Sequence, residues 1–443
     1  MSAAVPAATH TRLIRPAGSV RGSLALPGDK SISHRYALLA GFAQGTSHIA
    51  NFSSGADPHS SLACMAALGA RVESDPQTRT ATVTGTAGRF TQPSGELDCG
   101  NSGSTMRMLA GLVAAQAGTF RFTGDASLSA RPMERIREPL ESMGARIDLT
   151  GGHAPMTVHG GPLTAIDFEA PIASAQVKTA VLFAGLQAQG TTSLAEQVRT
   201  RDHTEHALRA FGAELLRRPD SGGQTRLYIA GGQTLNALDL TVPGDISSAA
   251  FFLCAALLFP DSNLVLDNLG LNPTRAVLLD VVTGMGGGIK MLEVADQHGE
   301  MAGTIQVNRK PGPLQAVDLS GQLAAQLIDE IPVLAAVAPY TSNGIRIRDA
   351  RELRVKESDR IALVVKNLRA MGAQVTEHED GMDIPGNQTL HGAGIDSGHD
   401  HRIAMAFAIA ALRASGDTEI QGAEAASISF PEFFDWLDDL AVR

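Results

Sequence analysis

Apolar positions along this chain fall into two alternating kinds of segment. In the first kind they recur at helical spacing with polar residues between them, as in 134–143 (ERIREPLESM) and 360–371 (RIALVVKNLRAM), which predicts helices with one buried face. Each such stretch runs into nearly the same phrase: Leu68-Gly-Ala-Arg-Val72, Met143-Gly-Ala-Arg-Ile147, Phe211-Gly-Ala-Glu-Leu215 and Met371-Gly-Ala-Gln-Val375, with a degenerate copy at 285–289 (MGGGI). The glycine stands where a left-handed helix cap is wanted and a β-like run follows, so each phrase predicts a joint from helix to strand.

In the second kind, apolar and small residues run almost uninterrupted behind a polar turn bearing Gly, Ser or Asp. Six such helices are predicted, opening near Lys30, Asn101, Ser174, Asp245, Asp329 and Asp400, with starts 71, 73, 71, 84 and 71 residues apart. Helices apolar all round belong inside a domain. The spacing therefore predicts six copies of a unit holding two helices and several short strands, three copies to a domain. A chain of 443 residues is long enough for two such domains. Helix starts present unpaired N–H groups and a partial positive charge, so several converging starts would trap an anion.

Composition narrows the function. The chain is 44% hydrophobic and 19% charged, as an ordinary globular protein is. Its apolar runs, such as 249–259, are too short to span a bilayer, which needs roughly 20 residues. The first 18 residues lack the apolar centre of a secretory signal and read as a short frayed tail. Cys64, Cys99 and Cys254 are scattered, which points to buried thiols in a reducing cytoplasm rather than a disulfide framework or a thiolate metal site. A formal charge of −10, with three Tyr and one Trp, argues against a nucleic-acid surface. Anionic substrates would therefore need positive charge concentrated locally.

The polar turns supply it. In 28–31 (GDKS), Lys30, Ser31 and, one turn on, Arg35 offer charge and a hydroxyl to a phosphate, although the segment fails the nucleotide-binding P-loop template. The turn 101–107 (NSGSTMR) is a backbone cradle for an anion and lacks the nucleophile-elbow spacing. In the charge-dense stretch 351–360 (RELRVKESDR), Lys356, Glu357 and Arg360 share a face if a helix starts around Glu357. The pair Asp329-Glu330 interrupts an apolar run, and Asp329 with Glu357 is a candidate acid/base couple. At 399–402 (HDHR), adjacent residues point apart and no third ligand follows at metal-site spacing, which leaves Arg402 as the working residue of another helix start.

These segments, together with 131–145 (RPMERIREPLESMGA), 174–180 (SAQVKTA), 201–205 (RDHTE), 243–252 (PGDISSAAFF), 329–335 (DEIPVLA) and 400–406 (DHRIAMA), resemble the signature segments of the 5-enolpyruvylshikimate-3-phosphate synthases, in family order over nearly the whole chain. The resemblance implies an inside-out α/β barrel fold in two domains of three repeated βαβαββ-type units. One domain would combine 1–28 with 243–443, the other would be 29–242, and the active site would lie in the cleft between them. It implies addition of the 5-hydroxyl of shikimate 3-phosphate to phosphoenolpyruvate and then elimination of phosphate, by a cytoplasmic monomer with no cofactor, no nucleic-acid partner and no membrane. By motif position, Lys30, Asp329 and Glu357 would move protons. Lys30, Gly103, Arg131, Gln176, Arg360 and Arg402 would meet phosphoenolpyruvate; Lys30, Ser31, Arg35, Ser174, Arg201, Asp329 and Lys356 would meet shikimate 3-phosphate.

Two positions depart from that pattern: Ile428 replaces a lysine that some members carry, and Ala175 replaces a second serine. Gly103 is retained where alanine in some members blocks the herbicide glyphosate. The sister transferase acting on UDP-N-acetylglucosamine has a Lys-Asn pair near its N-terminus and a loop cysteine, and Lys30-Ser31 differs from it.

Overall fold

A computed structural model describes residues 11–443, which divide into two compact units. One comprises 27–244 together with 295–302; the other comprises the chain up to 26, 245–294 and 303–443.

The first unit holds three four-stranded sheets of one design. Leu97–Asp98 runs parallel to Gly118–Thr123, which pairs antiparallel with His153–Gly160, itself antiparallel to Arg146–Thr150. The same order recurs in Asp167–Ala170, Thr191–Glu196, Thr225–Ala230 and Leu215–Pro219. It recurs again in Leu240–Thr241, Thr46–Ala50, Thr80–Thr84 and Arg71–Asp75. Strand Leu240–Thr241, from the far end of that chain segment, completes the sheet of the first repeat and so ties the three repeats together.

The second unit repeats the design in Val317–Leu319, Ile345–Ile347, Gly381–Ile384 and Thr376–His378. A five-stranded sheet carries Ser19–Ala25 parallel to Asn263–Gly270, with the hairpin Gly287–Gln297 and Glu300–Arg309 beyond it and Ala441–Val442 on the other side. In the last repeat Gly394–Asp396 runs parallel to Thr418–Gln421, and Thr11–Ile14 pairs antiparallel with the latter. The frayed tail expected over 1–18 therefore needs correcting from Thr11 onward: backbone hydrogen bonding to 418–421 holds that segment as a sheet edge, and Ile14 is buried. Residues 1–10 of that expectation lie outside the described residues.

All six apolar helices form: Lys30–Phe42, Gly103–Val113, Ala175–Gly185, Ile246–Leu258, Ile331–Val337 and His401–Ala411. Every residue of Ile246–Leu258 is buried, and the others are buried along nearly their whole length. Each fully buried Leu or Phe stabilises the fold by about 1.5–3 kcal/mol relative to exposure. Helices lie inside each unit and sheets outside. Two of them pack so closely that a Cβ added at Gly111 would lie 2.2 Å from the carbonyl oxygen of Ala180, which requires glycine there. The amphipathic helices stop as expected: Gly69, Gly144, Gly212, Gly286 and Gly372 all have φ between +88° and +112°, the left-handed region open to glycine.

One helix boundary departs from the sequence reading. Residues 351–355 form a 3-10 turn and the α-helix is Arg360–Ala370, so Lys356 and Glu357 precede it. The cause is Asp359, whose carboxylate accepts from the N–H of Ala362 at 3.0 Å and caps the helix there.

Candidate active site

In the unit built on 27–244, Asp29 caps the helix Lys30–Phe42 by accepting from Ile32 N at 2.9 Å, which fixes Lys30 and Ser31 at the first turn. The ammonium of Lys30 forms a close ion pair with Asp57, a buried carboxylate at the first turn of Ala56–Ala67. Arg35 is buried; it donates from Nε to Thr204 Oγ1 at 2.7 Å, from Nη2 to Thr179 Oγ1 at 3.0 Å and from Nη1 to the Ser31 carbonyl at 2.8 Å. Burial pulls its guanidinium down to about 10, with Glu205 acting the other way. Beside it, Lys178 is fully buried and bridges Glu205 at 2.9 Å and Glu196 at 3.1 Å.

The turn at Gly103 is organised separately. Ser102 caps Gly103–Val113 by accepting from Thr105 N at 3.0 Å. Arg131 donates to the carbonyl and the side-chain oxygen of Asn101, at 3.2 and 2.6 Å, and to Ser127 Oγ at 3.1 Å. Arg107 donates to Gln176 Oε1 at 2.7 Å and to the Pro132 carbonyl at 3.1 Å, while Gln176 Nε2 donates to Ser104 Oγ at 2.9 Å. Gly103, Arg131 and Gln176 are therefore brought together, and Arg107 joins them. A Cβ at Gly103 would lie 3.0 Å from Arg107 Nη1 and 3.6 Å from Arg131 Nη1. Ser174 caps Ala175–Gly185, and Arg201 lies two residues before His203–Ala210. A buried chain of polar groups ties these helix starts: His34 Nδ1 to Ser61 Oγ, Ser61 Oγ to Thr105 Oγ1, and Thr105 Oγ1 to Ser102 Oγ, each 2.8 Å. Burial first, then the charges of Lys30 and Arg35, hold the His34 imidazole well below its ordinary titration range, so it is neutral.

In the other unit the centre is Arg360, 1% exposed at its side chain. It donates from Nε to Asp400 Oδ2 at 2.8 Å and from Nη2 to Glu357 Oε2 at 2.6 Å, and its Nη1 lies 3.6 Å from Asp329 Oδ1. Burial opposes the Arg360 charge, but Asp400 and Glu357 outweigh it and raise its affinity for the proton. For Asp400 burial acts upward, and the attraction of Arg360 more than reverses it, leaving the carboxyl below its usual range. Asp400 also caps His401–Ala411, accepting from Arg402 N at 2.9 Å, and accepts from Ser358 Oγ at 2.9 Å. Lys356 Nζ is 3.6 Å from Asp329 Oδ1. Arg402 Nη1 donates to the Asp329 carbonyl at 2.7 Å. The candidate couple Asp329 and Glu357 thus shares one buried guanidinium, with Lys356 and Arg402 alongside.

Asp57, Arg107 and Asp400 were not among the candidate site residues read from the sequence, although Asp400 was read as a helix start. Arg107 and Asp400 lie inside quoted segments and could have been read there; Asp57 carries no local signal. A cavity of about 920 Å³ lined by His48, Thr82, Asp239 and His298, among others, contains none of these site residues, and the chemistry is better located by the charge clusters. Among the described residues no cluster of His, Cys, Asp and Glu is arranged to hold a metal ion, and no helix is long and apolar enough to cross a membrane.

Six repeats with helices inside and sheets outside, and cation-bearing helix starts in each unit, define the enolpyruvyl transferase fold. A solved enolpyruvyl transferase from Streptomyces tendae, NikO, has that fold, with a TM-score of 0.80 at 21% identity over 98% of both chains. Residues 14–437 match the model of the EPSP synthase family, the 3-phosphoshikimate 1-carboxyvinyltransferases, and the chain belongs to that family. A protein of that name from Koribacter versatilis is 56% identical over 430 residues, covering 97% of this chain and 99% of its own length. One from Solibacter usitatus is 52% identical over 429 residues, with the same coverage. The solved EPSP synthase of Acinetobacter baumannii is 37% identical, with a TM-score of 0.85 over 98% of each chain.

Proposed function

We infer that this enzyme transfers the enolpyruvyl group of phosphoenolpyruvate to the 5-hydroxyl of shikimate 3-phosphate and releases phosphate, a step of aromatic amino-acid biosynthesis. The observation that carries this is family membership over residues 14–437 together with charged helix starts in both units. In the addition step the hydroxyl oxygen bonds to C2 of phosphoenolpyruvate, its proton leaves, and C3 gains a proton. In the elimination step C3 gives up a proton, the double bond re-forms and phosphate departs.

The roles of individual residues are our proposal, and both clusters serve the one reaction. Lys30 suits proton transfer because Asp57 holds its ammonium at a fixed place, and Asp329 and Glu357 suit it because Arg360 lies beside both. Arg131, Gln176 and the Gly103 turn, with Arg107, and Arg360 with Arg402, would receive phosphoenolpyruvate; the cations stabilise charge that builds on the departing phosphate. Ser31, Arg35, Ser174, Arg201 and Lys356 would receive shikimate 3-phosphate. For Arg35 this means a backing role, since its guanidinium donates to Thr204, Thr179 and the Ser31 carbonyl. Ile428 ends a 3-10 turn, Ala423–Ile428, and brings no charge to replace the lysine of other members. A monomer in a reducing cytoplasm completes the reading, and the three free, buried thiols suit that compartment.

The test is a coupled phosphate-release assay with both substrates, run beside Lys30→Met. The native enzyme should release phosphate only when both substrates are present, and the variant should be slower by about 10²–10⁴-fold. A variant as fast as the native enzyme removes Lys30 from the proton transfers. A native enzyme without phosphate release overturns the function.

A further inference from the structure

We propose that Arg275 is a positioning residue for Arg402: it claims the buried carboxylate of Glu330 and so leaves the charge of Arg402 for the anionic substrate. The inference rests on the reading of Arg402 as a phosphoenolpyruvate contact.

Glu330 directly follows the candidate base Asp329 and is 2% exposed. A carboxylate in that setting must be matched by a cation and hydrogen bonds. Arg275 and Arg402 both stand near it. Arg275 Nη2 donates to Glu330 Oε1 at 2.7 Å, whereas Arg402 Nη1 stands 4.0 Å from the same oxygen. Ser247 Oγ donates to that oxygen at 2.5 Å and itself accepts from Arg275 Nη2, which closes a three-membered cluster. Ser247 is held in turn by the cap of its helix, because its N–H donates to Asp245 Oδ1 at 2.7 Å. Asn272 fixes the loop that delivers Arg275, accepting from Thr274 N at 2.8 Å and Thr274 Oγ1 at 2.7 Å.

Arg402, by contrast, donates to a neutral group, the Asp329 carbonyl, at 2.7 Å. That contact orients the guanidinium without cancelling its charge. If Arg275 lost its charge, Glu330 would remain buried with Arg402 Nη1 as a neighbouring cation, 4.0 Å from Oε1. The guanidinium would turn toward Glu330 and be quenched, and the substrate anion would lose a partner.

The pattern expected is a split between the two substrates. Arg275→Met should raise the KM for phosphoenolpyruvate about tenfold or more, the scale of a lost charge contact, and leave the KM for shikimate 3-phosphate within about twofold. Adding Glu330→Gln to that variant should return most of the lost affinity, because the competing carboxylate is gone. Glu330→Gln alone should lower thermal stability without raising the KM for phosphoenolpyruvate, and this variant carries the test if Arg275→Met does not fold. The inference is overturned if Arg275→Met shifts both KM values alike or neither, if the double variant stays as weak as the single one, or if Glu330→Gln alone weakens phosphoenolpyruvate tenfold. Arg402→Met separates the premise from the inference: an unchanged KM for phosphoenolpyruvate there rejects Arg402 as a contact, whereas a raised KM there with no effect at Arg275 rejects the role of Arg275 only.

Discussion

Around Gly103, the guanidinium groups of Arg107 and Arg131 donate to carbonyl oxygens, an amide oxygen of Asn101, the amide oxygen of Gln176 and a serine hydroxyl. Around Arg360, in the other unit, the partners are carboxylates: Asp400, Glu357 and Asp329. A neutral partner orients a cation without cancelling its charge. Carboxylate partners cancel the charge but create a group of shared protons and strong electrostatic coupling, which suits acid/base work. In the roles proposed above, the first arrangement serves as an anion cradle and the second as a proton-handling cluster. Arg402, oriented by a carbonyl, is the cradle-like element within the second unit.

The largest effect should come from breaking the carboxylate lock. Asp400→Asn keeps the shape and the cap to Arg402 N but leaves Arg360 buried with one charge fewer against it. Removing one partner of a buried ion pair costs about 3–5 kcal/mol, and chemical denaturation should show a loss of that order together with a fall in kcat/KM for both substrates. A variant with native stability would mean that Glu357 and Asp329 alone satisfy Arg360, and the proposed division between the units would fail.

A smaller, more selective effect is expected at the cradle. In Gly103→Ala the new methyl group would sit 3.0 Å from Arg107 Nη1, closer than ordinary van der Waals contact, and would also reach Arg131. The guanidinium groups must give by a few tenths of an ångström, which should raise the KM for phosphoenolpyruvate by about tenfold, roughly one lost contact in free energy, while the KM for shikimate 3-phosphate holds. Glyphosate should compete with phosphoenolpyruvate in the native enzyme and lose potency in the variant. Inhibition assays with no effect on the native enzyme at millimolar herbicide would sink this reading of the turn.

How much of this was legible beforehand follows from the range of the interactions involved. The joints at Gly69, Gly144, Gly212, Gly286 and Gly372 were readable because a left-handed cap is a local demand that glycine meets best. The starts read near Lys30, Asn101, Ser174, Asp245 and Asp400 fall within one residue of the caps Asp29, Ser102, Ser174, Asp245 and Asp400, because each capping side chain accepts from a backbone N–H two or three residues on. The start near 357 was misplaced for a related reason. Ser358 and Asp359 both have capping chemistry, and Asp359 takes the cap while Ser358 donates to Asp400. Asp57 and Arg275 were not readable at all: their partners Lys30 and Glu330 are distant in sequence, and neither residue interrupts a pattern that would mark it.

The comparison also carries a weaker, pH-dependent consequence. Burial of His34 and the neighbouring charges of Lys30 and Arg35 act on its imidazole in the same direction. Its folded-state titration therefore lies well below the unfolded value of about 6.5. Because the unfolded chain binds that proton more readily, the contribution of His34 is fully present above pH about 6.5 and is lost as pH falls toward the folded value, by up to about 1.4 kcal/mol per pH unit. His59, lowered by burial, acts with the same sign; His206, raised chiefly by its hydrogen bond to Asp202, acts with the opposite sign. Comparing native protein with His34→Asn isolates the one group. Melting temperatures measured from pH 8 to 5 should show the native protein losing stability faster than the variant below pH about 6.5, so that the gap between them narrows. Parallel curves would mean that His34 takes up its proton without cost, and that neither its burial nor the charges of Lys30 and Arg35 oppose that proton.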